Sequence, residues 1–226
     1  MLYALRQPAV LLGLVLGFAV GMIALSGATR LLERNTRFPV PFWHPRAWLD
    51  PYSAVSAVLA GVGWAPRPEV RRGFGRSRNR QLWLVAAVSF VIPAALGAAG
   101  MAVYAAGAGR IGLRVMDSIS VLHVDPGFVN AVATSFAEKV ALGFGIENLA
   151  IAILSLVPIP PLPTGVALWT VLPRTPGARQ LAYRLLEEHW GIVALLVLAL
   201  LPIGGGYQTP LLSLVTTITD AVLHSF

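Results

Sequence analysis

Four long stretches of the chain carry no charged residue: Pro8–Ala28, Leu82–Gly109, Asn148–Pro173 and Trp190–Thr219. About 20 consecutive apolar residues suffice for a helix to cross a bilayer, so each stretch is long enough to be a span. The first is too long for the apolar region of a signal peptide and no small-residue cleavage site follows it, which predicts a retained span. The second contains Pro93 and the small residues Gly97, Ala98, Ala99 and Gly100, where a neighbouring helix can approach closely. The last is interrupted by Gly204–Gly206 and is predicted to fold as a helical hairpin within 174–226. Its first half is short, and the preceding LAYRLLEEH is expected to lend it a further turn or two. A fifth apolar piece, Pro51–Trp64, contains Gly61 and Gly63 and is too short to span. With its flanks it predicts a re-entrant element over 40–64. The expected fold class is an all-α polytopic membrane protein, with about five transmembrane helices and a re-entrant segment in a single membrane domain.

Composition agrees with that pattern. Of 226 residues, 56% are hydrophobic and only 12% charged, with a mean hydropathy of +0.72. Such values belong to membrane proteins. The formal net charge of +7 does not point to nucleic acid, because no basic stretch is interleaved with aromatic residues. The absence of cysteine excludes disulfides, thiol catalysis and cysteine-ligated metals. Heavy use of Ala, Gly and Arg over Lys is associated with a bacterial source of high GC content.

The arginines set an expected orientation. If Pro51–Trp64 does not cross, positions 30, 34, 37, 46, 67, 71, 72, 76, 78 and 80 share one compartment, joined by Arg174, Arg179 and Arg184. Arg6, Arg110, Arg114 and Lys139 fall on the other side. The positive-inside rule then places the N-terminus outside and the C-terminus inside a bacterial cytoplasmic membrane. The run RPEVRRGFGRSRNR reads as a cytoplasmic loop in which Arg67, Arg71, Arg72, Arg76, Arg78 and Arg80 meet anionic lipid headgroups.

Proline concentrates in SLVPIPPLPTG, Ser155–Gly165. Each proline removes a backbone donor and clashes with the preceding turn, so the third span is expected to break there. Lipid cannot satisfy the backbone groups freed by such a break, so protein or a wet cavity must.

NLAIAILSLVPIPPLPTG (148–165) closely resembles a signature of the site-2 protease family of intramembrane zinc metalloproteases, N-x-x-x-x-x-x-N-L-L-P-I-P-P-L-D-G. Asn148 matches its first asparagine, Ser155 replaces the second, and Val157–Leu162 keeps the proline pattern. HPRAWLDPYSA (44–54) resembles the family's N-P-x-x-H-I-D-P-x-G, with His44, Pro45, Asp50 and Pro51 in place. GWAPRPEVRRGFGRSRNRQLWLVAAVS (63–89) resembles its G-W-A-K-P-V-P-V, the basic segment and the start of the next helix. The resemblance implies a site-2 protease-like core over 1–173, in which the broken helix would carry an aspartate to zinc.

The residues for that chemistry are missing. The family's His-Glu-x-x-His falls on Gly21, Met22 and Leu25, and Pro8–Ala28 contains no His, Glu, Asp or Cys. The aspartate falls on Pro163, and the glycine after it on Thr164. The asparagine of the family's G-P-x-x-N helix is absent around Ser89, Phe90 and Pro93. A zinc hydrolase requires about three protein ligands, an open position and a base. His44, His123, His189 and His224 lie in different segments without ligand spacing, and Glu147 reads as marking a helix start. Asp220, among threonines, reads as interfacial. No catalytic residue, metal or cofactor is therefore expected.

What the resemblance leaves is a groove at membrane depth with unpaired backbone, able to accept an extended segment by strand addition. Its candidate residues are Asn148, Ser155, Pro158, Pro160, Pro161 and Thr164. The expected function is that of a catalytically inactive site-2 protease-like protein: a binding, scaffolding or regulatory subunit of a membrane complex. Its expected partners are membrane lipid and a membrane protein or peptide segment, not nucleic acid. Two alternatives stand beside it. An active metalloprotease with a rearranged site would carry stoichiometric zinc. A small transporter or channel would need inward-facing charges or an inverted repeat, and the spans show neither.

Overall fold

The computed structural model describes residues 5, 7–32, 49–60, 63–65, 76–108, 133, 135–171, 175–186 and 188–200. All regular elements among these are helices: α1 (Pro8–Leu32), α2 (Pro51–Ala60), α3 (Arg76–Ala108), α4 (Phe136–Leu156), α5 (Pro163–Leu168), α6 (Pro176–Leu186) and α7 (Trp190–Leu200). Among the described residues three helices are long and apolar enough to cross a membrane: α1, Asn79–Gly107 within α3, and α4. α1 and α3 cover the first two expected spans, and α3 runs through Pro93 without interruption. α3 also begins earlier than expected, so Arg76, Arg78 and Arg80 sit on its first turns rather than in a loop. Arg67, Arg71 and Arg72 lie outside the described residues.

The third span differs from expectation. It runs over Phe136–Leu156, twelve residues ahead of the Asn148–Pro173 read from hydropathy. A capping box fixes its start: Ser135 Oγ accepts from the Glu138 N–H at 3.2 Å, and Glu138 Oε2 accepts from the Ser135 N–H at 3.3 Å. These reciprocal bonds satisfy amides that would otherwise lack partners. Val157 is extended, at φ −65° and ψ 126°, and ends the helix one residue before Pro158. Glu147 consequently lies in the helix interior and does not mark its start.

The C-terminal expectation is corrected as well. LAYRLLEEH does not lengthen the following apolar helix. Its residues 181–186 belong to α6, which stops at Leu186, and His189 at φ 62° turns the chain before α7 begins. The left-handed region is unfavourable for a residue with a β-carbon and cannot continue a helix. Gly204–Gly206 and the second half of the predicted hairpin lie outside the described residues.

Within the expected re-entrant element, only 49–60 and 63–65 are described. Asp50 opens α2: its Oδ1 accepts from the Tyr52 N–H at 3.1 Å, and Pro51 occupies the first helical position, where no donor is needed. After α2 the chain returns on itself. Ser53 Oγ donates to the Trp64 carbonyl and accepts from the Trp64 N–H, both at 2.8 Å. Trp64 Nε1 donates to Asp50 Oδ2 at 3.2 Å. Trp64 is almost fully buried, and α2 packs on α7.

α4 is the central helix, packed on α1 along one side and α3 along another. Small residues make both contacts close. A β-carbon at Gly13 would overlap the Val140 carbonyl oxygen. Toward α3 one at Gly100, in the small-residue stretch that sequence singled out, would stand 2.9 Å from Gly145 Cα. For helices of a composition that suits lipid, where no hydrophobic drive would hold them together, such backbone approach would supply the packing. Val10, Leu14, Leu142, Ile146, Leu154 and Leu162 build the core around α4, with Trp64 and Leu195 closing it.

Candidate functional site

Gly21, Met22, Leu25 and Pro163, the positions that the resemblance sets against zinc ligands and base, are buried and apolar. Met22 and Leu25 are fully buried in α1, Gly21 beside them is buried, and Pro163 is buried at the start of α5. Both elements pack on α4. Asn148 of α4 lies against Gly21: a β-carbon added there would stand 2.6 Å from Asn148 Oδ1. The carboxamide is held in place by its nitrogen, which donates to Gly17 O at 3.1 Å and to Phe144 O at 3.0 Å. The space a histidine would need at position 21 is therefore filled from the facing helix. No group of three His, Asp or Glu that could hold a metal occurs among the described residues. His44, His123, His224 and Asp220 lie outside them, and His189 serves the turn before α7.

The proline break is closed by side chains. The α4 ladder stops at Val157, whose N–H donates to Leu154 O at 3.1 Å. Ser155 Oγ donates back to Ala152 O at 2.6 Å, and the Ser155 carbonyl accepts from Thr164 Oγ1 at 2.6 Å. Leu162 N–H donates to Ile159 O at 2.9 Å, and Val166 N–H to Leu162 O at 2.9 Å, which restarts the chain as α5. The Pro160–Pro161 peptide is cis. Thr164 stands where the family pattern has glycine, and its hydroxyl ties the two sides of the break together. Removing that hydroxyl leaves the Ser155 carbonyl without this donor in a buried setting, a loss of about 1–3 kcal/mol. Thr164→Ala and Thr164→Val should each lower the melting temperature in detergent by about 2–8 °C, whereas Thr164→Ser should remain within about 2 °C of wild type. A loss for Ser as large as that for Ala, with Val unchanged, would show that the methyl, not the hydroxyl, matters.

The six sequence-predicted groove residues divide. Pro158 and Pro160 line an apolar hollow of about 420 Å³, walled also by Ile159, Gly165, Leu168, Trp169, Val171 and Leu185. Asn148 and Ser155 are fully buried and Pro161 is buried, so all three belong to the interior. Thr164 is half-buried at the seam. The far wall, Leu185 of α6, comes from a segment that sequence had assigned to lengthening α7. The N-terminus of α7 also presses on the break, since a β-carbon at Gly191 would overlap the Pro160 carbonyl oxygen.

Sequence reading missed Glu147 as an interior residue. It is 1% exposed, and neither carboxylate oxygen has a hydrogen-bond partner among the described residues. The signal was present in Ser135-Phe-Ala-Glu138: a capping box before an apolar run marks a helix start and would have placed Glu147 in its twelfth position. Comparison with family models, curated proteins and solved structures finds no match to this chain.

Proposed function

We propose that the chain is a catalytically inactive, site-2 protease-like membrane protein that binds an apolar segment of a partner at the proline break, as a scaffolding or regulatory subunit. The reading takes the three motif resemblances for the core, with α1, α3 and α4 as spans, the 49–65 return as the re-entrant element, and the N-terminus outside. The observation that carries it is the pairing of two features. The metal positions are filled by Gly21, Met22, Leu25 and Pro163 and closed against Asn148, while the break beside them keeps an apolar hollow of about 420 Å³. Hydrolysis needs ligands and water at the first place; binding needs only the second. Arg80, exposed on the first turns of α3, suits a headgroup contact at the same membrane face as the other arginines.

Two measurements on the full chain test this. Purified protein should contain no stoichiometric zinc and should show no chelator-sensitive cleavage of membrane peptides; either would replace the reading with an active metalloprotease. Photo-reactive residues at Leu168 and Val171, introduced in the native membrane, should each form a discrete polypeptide adduct. The same group at Val103, which is 64% exposed on α3 away from the hollow, should label lipid. Identical patterns at all three positions would remove the binding role.

A further inference from the structure

The eleven residues of α6, PGARQLAYRLL, rise only about 16 Å and include two arginines, so this helix does not span. At 3.6 residues per turn Ala178, Ala182 and Leu185 share one face, and all three are half-buried. Leu186 beside them packs against the cluster of Leu82 and Ala86 of α3 with Val166 and Ala167 of α5. The apolar arc of α6 is wider than the face so covered. Leu181 flanks it on one side and Tyr183 on the other, and both are exposed. Gln180 and Arg184, one turn apart on the polar face, are exposed as well. In water such a helix leaves two apolar flanks uncovered. At a bilayer surface it lies in the plane, with the flanks in the acyl boundary and the guanidinium among headgroups.

The packing sets α6 at a level where such a boundary falls. α3 turns apolar from Asn79, and Leu82 follows three residues on, about 4.5 Å along the axis. Its neighbours Arg80 and Trp83 are exposed. α3 runs antiparallel to α4, since Gly100 faces Gly145 and Gly97 faces Leu149, so its arginine-bearing start points to the end where α4 breaks. α1 runs parallel to α4, with Gly13 facing Val140 and Gly21 facing Ile151, and brings Arg30 toward the same end. α1, α3 and α6 hold six arginines and no acidic residue, while Lys139 stands near the start of α4, at the other end. Two glutamates, Glu187 and Glu188, follow α6 in the turn to α7. Trp190, just past that turn, is exposed like Tyr183 and Trp83. Tryptophan and tyrosine rings with an apolar body and a polar edge collect at the headgroup level of membranes.

We propose that α6 is an interfacial helix that binds the anionic phospholipid surface on the arginine-bearing side of the bilayer. Leu181 and Tyr183 enter the acyl boundary, while Arg184 and, across the contact with α3, Arg80 meet lipid phosphate. A zwitterionic headgroup carries its own cation beside the phosphate, so these arginines favour lipids of net negative charge. Leu185, on the inner face of the same helix, walls the hollow at the break, so lipid held on the outer flanks keeps that wall in place. The proposal rests on the reading of α1, α3 and α4 as spans and not on what the hollow binds.

The chain contains no cysteine, so one introduced cysteine carries one fluorophore. The full chain is labelled at Leu181→Cys, Gln180→Cys or Val103→Cys and placed in nanodiscs of equal parts phosphatidylcholine and phosphatidylglycerol, one or the other brominated. The dye at 181 should be shielded from aqueous acrylamide and quenched about two- to five-fold more by brominated phosphatidylglycerol than by brominated phosphatidylcholine. The dye at 180 should be open to acrylamide. Arg80→Gln with Arg184→Gln should bring the lipid ratio at 181 to about one, and Arg80→Lys with Arg184→Lys should keep it above one. Four results would each overturn the proposal: a dye at 181 as open to acrylamide as that at 180, one shielded yet quenched by neither lipid (as beneath a protein neighbour), equal quenching by the two lipids, or a ratio unchanged in the glutamine pair. The dye at 103 tells this failure from failure of the membrane reading. Quenching by lipid there but not at 181 removes α6 alone from the interface, whereas none at either position removes the spans as well.

Discussion

Replacing Gly13 with leucine should separate α1 from α4 and abolish the folded state in mild detergent, while Gly27→Ala in the same helix should leave it intact. A β-carbon at Gly13 collides with the Val140 carbonyl oxygen and lies 3.0 Å from the Phe144 nitrogen. Both are backbone atoms of a helix that is also packed against α3, so neither can rotate away. Relief requires the helices to move apart along their whole contact. Overpacking of a well-packed core ordinarily costs about 1–3 kcal/mol, and here the obstruction is rigid, so the upper end or beyond applies. Nothing lies within 4 Å of a β-carbon at Gly27, and alanine is the better helix former by about 1 kcal/mol. Thermal melting and size-exclusion profiles of the two variants check the contrast. Comparable behaviour would mean that α1 and α4 do not meet along this face.

The second large effect concerns the contact between Gly21 and Asn148. Gly21→Ala should be strongly destabilising alone, because its methyl would stand 2.6 Å from Asn148 Oδ1. Asn148→Ala should also be destabilising, since it removes two hydrogen bonds to backbone carbonyls. Together they should cost less than their sum, with a coupling energy of about 0.5–3 kcal/mol, because the second change opens the room that the first requires. Chemical denaturation of the four proteins in the cycle measures it, and strict additivity would place Asn148 away from Gly21. The same geometry bears on attempts to rebuild a zinc site: Gly21→His, Met22→Glu, Leu25→His and Pro163→Asp introduced together would still meet the carboxamide in the place of the first imidazole.

How far the sequence revealed this arrangement depended on how cleanly charge and apolarity separated. α1 and α3 could be read directly, because Pro8–Ala28 and Leu82–Gly109 hold no charge and every competing structure would expose too much apolar surface. α4 was misplaced because Glu138, Lys139 and Glu147 break its apolar run, and hydropathy discards a segment whose charges are either capping its end or buried inside it. Backbone chemistry carried the information that hydropathy lost, in Ser135 and Glu138. The break after Leu156 was legible because proline acts locally through its own ring. The Thr164–Ser155 bond that closes it was not, since nothing in a hydroxyl nine residues away says which carbonyl it will meet. Pro158 and Pro160, which line the hollow at the break, stood out on the same local ground. Trp169 and Leu185 were missed, because walls supplied by neighbouring elements follow from packing and not from pattern. Asn148 was noticed through resemblance, but its role as the filler of the space beside Gly21 required the facing helix.

The hydrogen bond from Asn148 to Gly17 joins residues 131 positions apart, and that separation has a consequence for how the protein is made. At synthesis rates of about 5–20 residues per second, roughly 7–26 s pass between the emergence of Gly17 and that of its partner. During that interval α1, long and apolar enough to cross a membrane, has its glycine face uncovered, and α3 arrives before the helix that both must clasp. The nascent chain therefore needs a temporary neighbour for that face, whether lipid or the insertion machinery itself, and α4 displaces it last.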